Sequence, residues 1–239
     1  MNPPHRSRPV VAIDGPAGAG KSTVTRKVAE RLGYVIVDTG ALYRVVALAA
    51  EQAGVGFDDE ARASALAETL VAENAVQLRR GADGAQQVLL RGQDVSRSIR
   101  TQTLGQGASK VSAHPGVRKA LLELQRSQGR AGGVVLEGRD IGTVVFPDAE
   151  AKFYLTASVE VRAQRRRDEL AARGTPPSLQ EVLSEVAERD RRDSTRPVAP
   201  LRQAEDAKLV DSSALSIEQV VEQIVAAVKS VEHTLSNAR

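Results

Sequence analysis

The sequence predicts an α/β fold: a parallel sheet wound by helices on both sides, interrupted by a small antiparallel insertion. Three observations carry this. Short apolar runs (VVAI at 10–13, YVIV at 34–37, GVVLE at 133–137, AKFYL at 151–155, AKLV at 207–210) alternate with longer segments of helical periodicity. The first run passes through a glycine-rich turn into a helix, and the second run follows, the order of a strand–helix–strand unit. Between 75 and 95 the text changes to brief strand-like stretches broken by glycines, the pattern of a meander.

In chain order, residues 1–9 (MNPPHRSRP) are rich in Pro and Arg, lack the apolar stretch of a signal peptide, and predict a flexible tail. After the strand at 10–13, Val24, Val28 and Leu32 recur at helical spacing, and Gly33 closes that helix. The strand at 34–37 ends in Asp38, Thr39 and Gly40, and 41–52 reads as helix. An acidic, alanine-rich helix is predicted at 59–72. Strands follow at 75–80, 86–91 and 94–95, separated by Gly81, Gly84 and Gly92. Helical text resumes from 100 and again over 115–128. Beyond the strand at 151–155, a basic helix spans 159–173 and is broken by Gly174, Thr175, Pro176 and Pro177. A charged helix at 179–194, the strand at 207–210 and an amphipathic helix at 217–231 complete the chain.

Composition narrows the function. The 239 residues suit one domain with insertions. Apolar residues make up 41% and aromatics 3%, so the core is aliphatic. Cysteine is absent, which removes disulfides, thiolate catalysis and cysteine zinc sites, and suits a cytoplasmic protein. The histidines, His5, His114 and His233, are too scattered for a histidine metal site. The apolar run VVALAA at 45–50 is far short of the ~20 residues of a membrane span. The net charge of +3 suits anionic small molecules as well as RNA.

Gly15, Pro16, Ala17, Gly18, Ala19, Gly20, Lys21 and Ser22 match G-x-x-x-x-G-K-[ST], with Thr23 adding a hydroxyl. Glycines let successive N–H groups turn inward around phosphate oxygens, and the helix N-terminus adds partial positive charge. Lys21 reaches the β and γ phosphates as a mobile cation, and Ser22 suits a magnesium ion. An ordinary glycine turn with a surface lysine would look similar, but the strand before and helix after supply the context of a phosphate loop. That loop alone does not choose a reaction. Asparagine occurs only at 2, 74 and 237, so no N-K-x-D guanine reader exists, and the chain is short for a motor or transport ATPase.

Arginines decide further. Arg44 follows the second strand, and Arg118 opens a helix. Glu137, Gly138, Arg139 and Asp140 end the third long strand, where α/β sheets bind ligands. Arg162, Arg165 and Arg166 share a helix face by spacing, as do Arg189, Asp193 and Arg196. Ten arginines and eight acids between 160 and 202 also fit a solvated, internally paired surface. As a set converging on strand ends, they suit two phosphorylated molecules brought into bonding distance.

GPAGAGKST, DTGALYR, EGRDIGTVVFPDA and RDRRDSTRPVAPL, in this order and spacing, resemble the bacterial cytidylate kinases of the nucleoside monophosphate kinase family. The resemblance runs over about 10–228. It implies a P-loop three-layer fold with a core at 10–54, 116–158 and 179–239, an inserted monophosphate-binding domain at 55–115 and a helical lid at 159–178. It implies transfer of the ATP γ-phosphate to CMP or dCMP with Mg²⁺, in a cytoplasmic monomer that binds neither nucleic acid nor membrane. By the same resemblance Gly15 to Thr23 hold ATP. Thr39, Tyr43 and Arg44 line the acceptor site, where the family often has serine in place of Thr39. Ser109, Arg118 and Asp140 read cytosine. Arg139 and Arg196 grip the acceptor phosphate, Arg189 and Asp193 contact the sugar, and Arg162, Arg165 and Arg166 lie on or beside the lid. Lys21, Arg139, Arg162 and Arg166 are then the catalytic cations.

Physical chemistry agrees with this assignment. Cytosine offers an N4 amino donor to a carboxylate such as Asp140. Uracil would oppose lone pairs there, at a cost of roughly 1–3 kcal/mol. Arg118 can donate to O2 or N3. The acceptor phosphate is already ionised, so no general base is needed. Lid closure would exclude water. Asp14 reads as structural. Asp38 suits either water-mediated magnesium organisation or local capping. Two alternatives stand: a kinase for UMP, AMP or shikimate, and a nucleotide-gated RNA-binding protein using the basic helices, for which 3 Tyr, 3 Phe and no Trp supply few stacking platforms.

Overall fold

The computed structural model describes residues 6–81, 86–172, 174 and 177–237. Residues 1–5 of the expected tail, Gly84 of the meander, and Arg173, Thr175 and Pro176 at the helix break lie outside the described residues. The elements are β1 (Val10–Asp14), α1 (Lys21–Leu32), β2 (Val35–Asp38), α2 (Gly40–Gln52), α3 (Glu60–Ala72), β3 (Val76–Arg80), β4 (Gln86–Leu90), β5 (Gln93–Asp94), α4 (Gln102–Val111), α5 (Pro115–Gly129), β6 (Val134–Gly138), β7 (Ala151–Thr156), α6 (Val159–Ala171), α7 (Leu179–Thr195), β8 (Lys208–Asp211) and α8 (Ile217–Asn237). No helix among the described residues is long and apolar enough to cross a membrane.

Two units divide the chain: Met1–Val35 with Ala131–Arg239, and Ile36–Arg130. The first holds β6, β1, β7 and β8, in that order, of a five-stranded sheet whose order is β2-β6-β1-β7-β8. β1 runs parallel to both β6 and β7, and β7 parallel to β8. Val10, Val11, Ala12 and Ile13 are fully buried because β1 is central and covered on both faces. Gly33 ends α1 in the left-handed conformation, and Arg8 donates to Leu32 O (2.6 Å) and Gly33 O (3.2 Å) at that helix end. Ser158 caps α6. Ser178 and Glu181 form a reciprocal capping box on α7.

The described end of the expected tail is held in place. Arg6 is buried, donates to Asp148 Oδ2 (2.7 Å) and Glu150 Oε1 (3.1 Å), and lies 5.5 Å from the Phe146 ring. α8 outruns the predicted 217–231 by six residues. Its Glu232 accepts the Tyr34 hydroxyl, a tie that helical periodicity does not reveal.

The second unit contains the predicted meander, an antiparallel sheet ordered β3-β4-β5 with Val76 opposite Leu90 and Leu90 opposite Gln93. Leu42, Val46, Leu70, Ile99, Val111 and Leu121 form one core in which α2, α3, α4 and α5 meet. The unit is wider than the expected 55–115 because α2 and α5 bury their apolar faces in that same core.

One element has no counterpart in the sequence pattern. After β6, Ile141–Val145 forms a single π-helical turn, with Val145 N–H donating to Asp140 O (3.1 Å) and Phe146 N–H to Ile141 O (2.7 Å).

Candidate active site

The phosphate loop leaves β1 through Gly15 at φ +153°, where a Cβ would lie 1.9 Å from Leu155 O. Only glycine passes there, so the neighbouring strand β7 dictates the residue at the loop's entry. Lys21 opens α1, buried, and its Nζ donates to Gly15 O (2.7 Å) and Pro16 O (2.6 Å) across the loop. Burial, with the fields of Arg139 and Arg189, holds this ammonium well below the usual lysine range, while Glu137 and Asp14 pull it back up. Ser22 Oγ donates to Glu137 Oε1 at 2.8 Å, and Thr23 follows half-buried.

The strand ends converge as the sheet order requires. Asp14 stands opposite Gly138 on one side and Tyr154 on the other. Immediately after β6, Arg139 Nε donates to Asp193 Oδ2 at 2.9 Å, and Arg196 pairs with Asp140 Oδ1 at 3.4 Å. Burial opposes the Arg139 charge, but the Asp193 carboxylate more than offsets this and raises its pKa. Burial pushes Asp193 up. Arg139, Arg189 and Arg196 outweigh that and hold the carboxyl below its ordinary range. α7 stops at Thr195, so Arg196 does not share a helical face with Arg189 and Asp193 as its spacing suggested. It reaches inward from the turn, donating to Ala199 O at 2.7 Å, with Leu201 N–H closing on Asp193 O at 2.8 Å.

The three arginines of α6 go separate ways. Arg162 is buried, donates to Ala157 O (2.9 Å) and Ala17 O (3.1 Å), and pairs with Asp190 (2.6 Å), so it locks α6 to α7 and to the phosphate loop. Arg165 donates to Ser212 Oγ (2.9 Å) and Ser212 O (2.7 Å) after β8. Arg166 pairs with Glu169 one turn on, and Arg191 and Arg192 pair with Glu188. These last three pair within their own helices.

The second unit groups its own candidates. Thr39 is buried at the start of α2. The Arg118 guanidinium lies 5.4 Å from the Tyr43 ring and donates to Ser112 O (3.1 Å), while Ser112 Oγ donates to Ser109 O (3.1 Å). Tyr43, Ser109 and Arg118 are thus one buried cluster. Arg44 donates from Nη1 to Ile99 O (3.1 Å), and a Cβ at Gly105 would lie 3.1 Å from that nitrogen. The Asp38 carboxylate is engaged by Arg100 at 2.8 Å, and its backbone is bracketed by Gln86.

Three residues contact the candidate side chains although the sequence assigns them no role: Glu137, Asp190 and Gln125. Glu137 carries a signal, an acid at the end of an otherwise apolar buried strand. Asp190 carries none, because its role depends on α6 packing on α7. Gln125, whose Nε2 donates to the Tyr43 hydroxyl at 3.4 Å, reads in the sequence as one more polar helix residue.

A family model described as cytidylate kinase matches residues 11–230. A cytidylate kinase of Geobacter sp. (strain M21) is 53% identical over 92% of each chain. One of Pelotomaculum thermopropionicum is 50% identical over 94% of this chain and 97% of its own. Among solved structures, a protein of Eubacterium ventriosum ATCC 27560 shares the fold at a TM-score of 0.51 and 10% identity, covering 93% of this chain and 99% of that one.

Proposed function

The chain belongs to the cytidylate kinase family, and from that premise we propose that it transfers the γ-phosphoryl group of ATP to the phosphate of CMP or dCMP. An acceptor phosphate oxygen attacks the γ-phosphorus, the bond to the β–γ bridging oxygen breaks, and ADP leaves with the electron pair. The single observation that supports this best is the register of β1 against β6. Asp14, which leads into the phosphate loop, stands opposite Gly138, which leads into the Arg139 cation, and this supports a donor grip next to a fixed positive charge.

The side chains divide the work. Lys21 exchanges its loop carbonyls for phosphate oxygens, and the anion favours the ammonium that burial disfavours. Arg139 and Arg196 hold the acceptor phosphate, with Asp193 and Arg189 at the sugar. Asp140 reads the cytosine amino group. From the second unit, Arg118 and Ser109 serve the base, and Thr39, Tyr43 and Arg44 the acceptor nucleotide. Arg162 steadies the loop from behind, and Arg165 and Arg166 belong to the lid. The second pKa of a phosphomonoester is about 6, so the acceptor is ionised at neutral pH and no general base is required.

Among the described residues no group of three or more acidic, His or Cys side chains could hold a metal. The Ser22 hydroxyl beside Glu137 still fits magnesium, which takes few protein oxygens and completes its shell with substrate phosphates and water. Ser22 would hold the ion, with Glu137 orienting the hydroxyl. When bound, magnesium neutralises charge on the β and γ phosphates.

Stacking on RNA finds little support. Tyr34, Tyr43, Phe146 and Phe153 are buried, and Phe57 and Tyr154 are partly so. The deciding experiment is ADP release with ATP and magnesium against CMP, dCMP, UMP, AMP, GMP and shikimate. Turnover confined to CMP and dCMP is expected. Faster turnover of any other acceptor overturns the cytosine assignment, and none with any acceptor overturns the kinase. Passage through a sizing column at the mass of one chain would match the proposed monomer.

A further inference from the structure

Asp14 is the last residue of β1, next to Gly15 at the mouth of the phosphate loop, and its side chain is turned inward, 5% exposed. Its two oxygens are used as a fork. Oδ1 accepts the Ile141 N–H and Oδ2 the Gly142 N–H, each at 2.8 Å. A carboxylate is the one small side chain that gives each of two adjacent N–H groups an acceptor oxygen of its own, because neither oxygen carries a proton. These two amides open the π-helical turn, so the fork pins the turn at its origin.

What the turn presents lies one and two residues upstream. Arg139 fans out to Asp193, and Asp140 to Arg196. Asp140 sits at φ −148° and ψ 25°, so the chain bends sharply between the strand and the pinned amides. The turn is also seated tightly. A Cβ at Gly142 would lie 3.2 Å from Lys152 Cδ and 3.5 Å from Asp14 Oδ2. Lys152 is itself immobilised by Pro147 O (2.6 Å) and Asp206 (2.7 Å). Rotation of the turn therefore meets Asp14 on one side and the lysine stem on the other.

We infer that Asp14 is a positioning residue for acceptor recognition: by holding the Ile141 and Gly142 amides it aims Asp140 at the base and Arg139 at the acceptor phosphate. The first unit thereby ties the donor loop and the acceptor-reading residues to one carboxylate. This rests on the proposed reading of cytosine by Asp140.

The test compares Asp14→Asn, Asp140→Asn and the double variant with CMP and UMP as acceptors. Asn keeps the shape of Asp, but its NH₂ opposes one of the two amides, so the turn is released on one side. In Asp14→Asn, kcat/KM for CMP should fall about 100-fold and for UMP about tenfold, as expected of a sub-ångström misplacement of two groups, with the KM for ATP within about threefold of wild type. The CMP-to-UMP ratio thus narrows about tenfold. In the Asp140→Asn background, adding Asp14→Asn should leave the ratio unmoved, because the two act through one group. A narrowed ratio in Asp140→Asn beside an unchanged one in Asp14→Asn overturns the positioning role alone. An unchanged ratio in Asp140→Asn overturns the base reading and this inference with it. Should Asp14→Asn fail to fold, Gly142→Ala displaces the same turn with the carboxylate intact. A narrowed ratio there supports the role and an unchanged ratio overturns it. A purely structural Asp14 would lower Tm without moving the ratio.

Discussion

Arg139 and Asp193 form a buried ion pair, Nε to Oδ2 at 2.9 Å, with side chains 18% and 5% exposed. Each holds the other in its charged form, and Arg189 and Arg196 add their fields at Asp193. Removing one partner strands the other. Asp193→Ala should cost about 3 kcal/mol in urea unfolding, the lower end for a broken buried pair because Arg139 keeps some solvent. It should also lower kcat/KM for both CMP and dCMP. Because the folded pKa of Asp193 is depressed, its contribution is present above the ordinary value of 3.8 and is lost as pH falls through the folded value. Wild-type stability and indifference of both acceptors would remove the pair from the site.

Lys21→Ala tests the loop. Two carbonyl bonds vanish with the amine, but so does a buried cation whose charge is disfavoured where it stands. The melting temperature should therefore move by no more than about 5 °C. Turnover should fall by about 10³, the loss seen when a positioned stabiliser of developing charge is removed. Wild-type-like turnover would sink the assignment of the loop to ATP.

The Ser22–Glu137 contact makes a separate claim, about magnesium. Glu137→Gln keeps the hydrogen bond to Ser22 and removes the negative charge. The magnesium concentration for half-maximal rate should rise about tenfold, with the maximal rate largely recovered at high magnesium. Ser22→Ala should raise that requirement further. If neither variant alters the dependence on magnesium, the ion is held elsewhere.

These residues differ in how far the sequence discloses them. The strand–loop–helix order, the glycine turn and the meander follow from local chemistry, and they appear within a residue or two of their predicted positions. Arg139 and Asp140 are legible because a strand end in an α/β sheet is where ligands bind. The spacing of Arg196 suggests a helical face shared with Arg189 and Asp193, but Pro197 ends α7 just before it and leaves it in a turn. Arg162 and Arg166 look alike in the sequence. Packing of α6 on α7 buries one against Asp190 and leaves the other with Glu169. The π-helical turn was invisible, because it depends on a carboxylate more than a hundred residues away accepting its first two amides.

That same carboxylate makes the last prediction. Burial pushes Asp14 up from its ordinary 3.8 to about 6, against the two amide bonds and Lys21, which lower it, and with the help of Asp140, which raises it. The folded state therefore binds a proton more tightly than the unfolded chain between those two values. By linkage, this group favours folding at low pH, and its contribution fades as pH rises through about 6. Asn cannot titrate, so Asp14→Asn removes that dependence. The stability gap between wild type and variant should shrink by about 2 kcal/mol from pH 4.5 to 7.5, the integral of one proton over that shift. Asp193 titrates in both proteins and cancels in the difference. Urea unfolding of the two across that range reads the gap directly. A gap independent of pH would mean that the Asp14 carboxyl titrates alike in the folded and unfolded chains, and that its two amide bonds fully offset its burial.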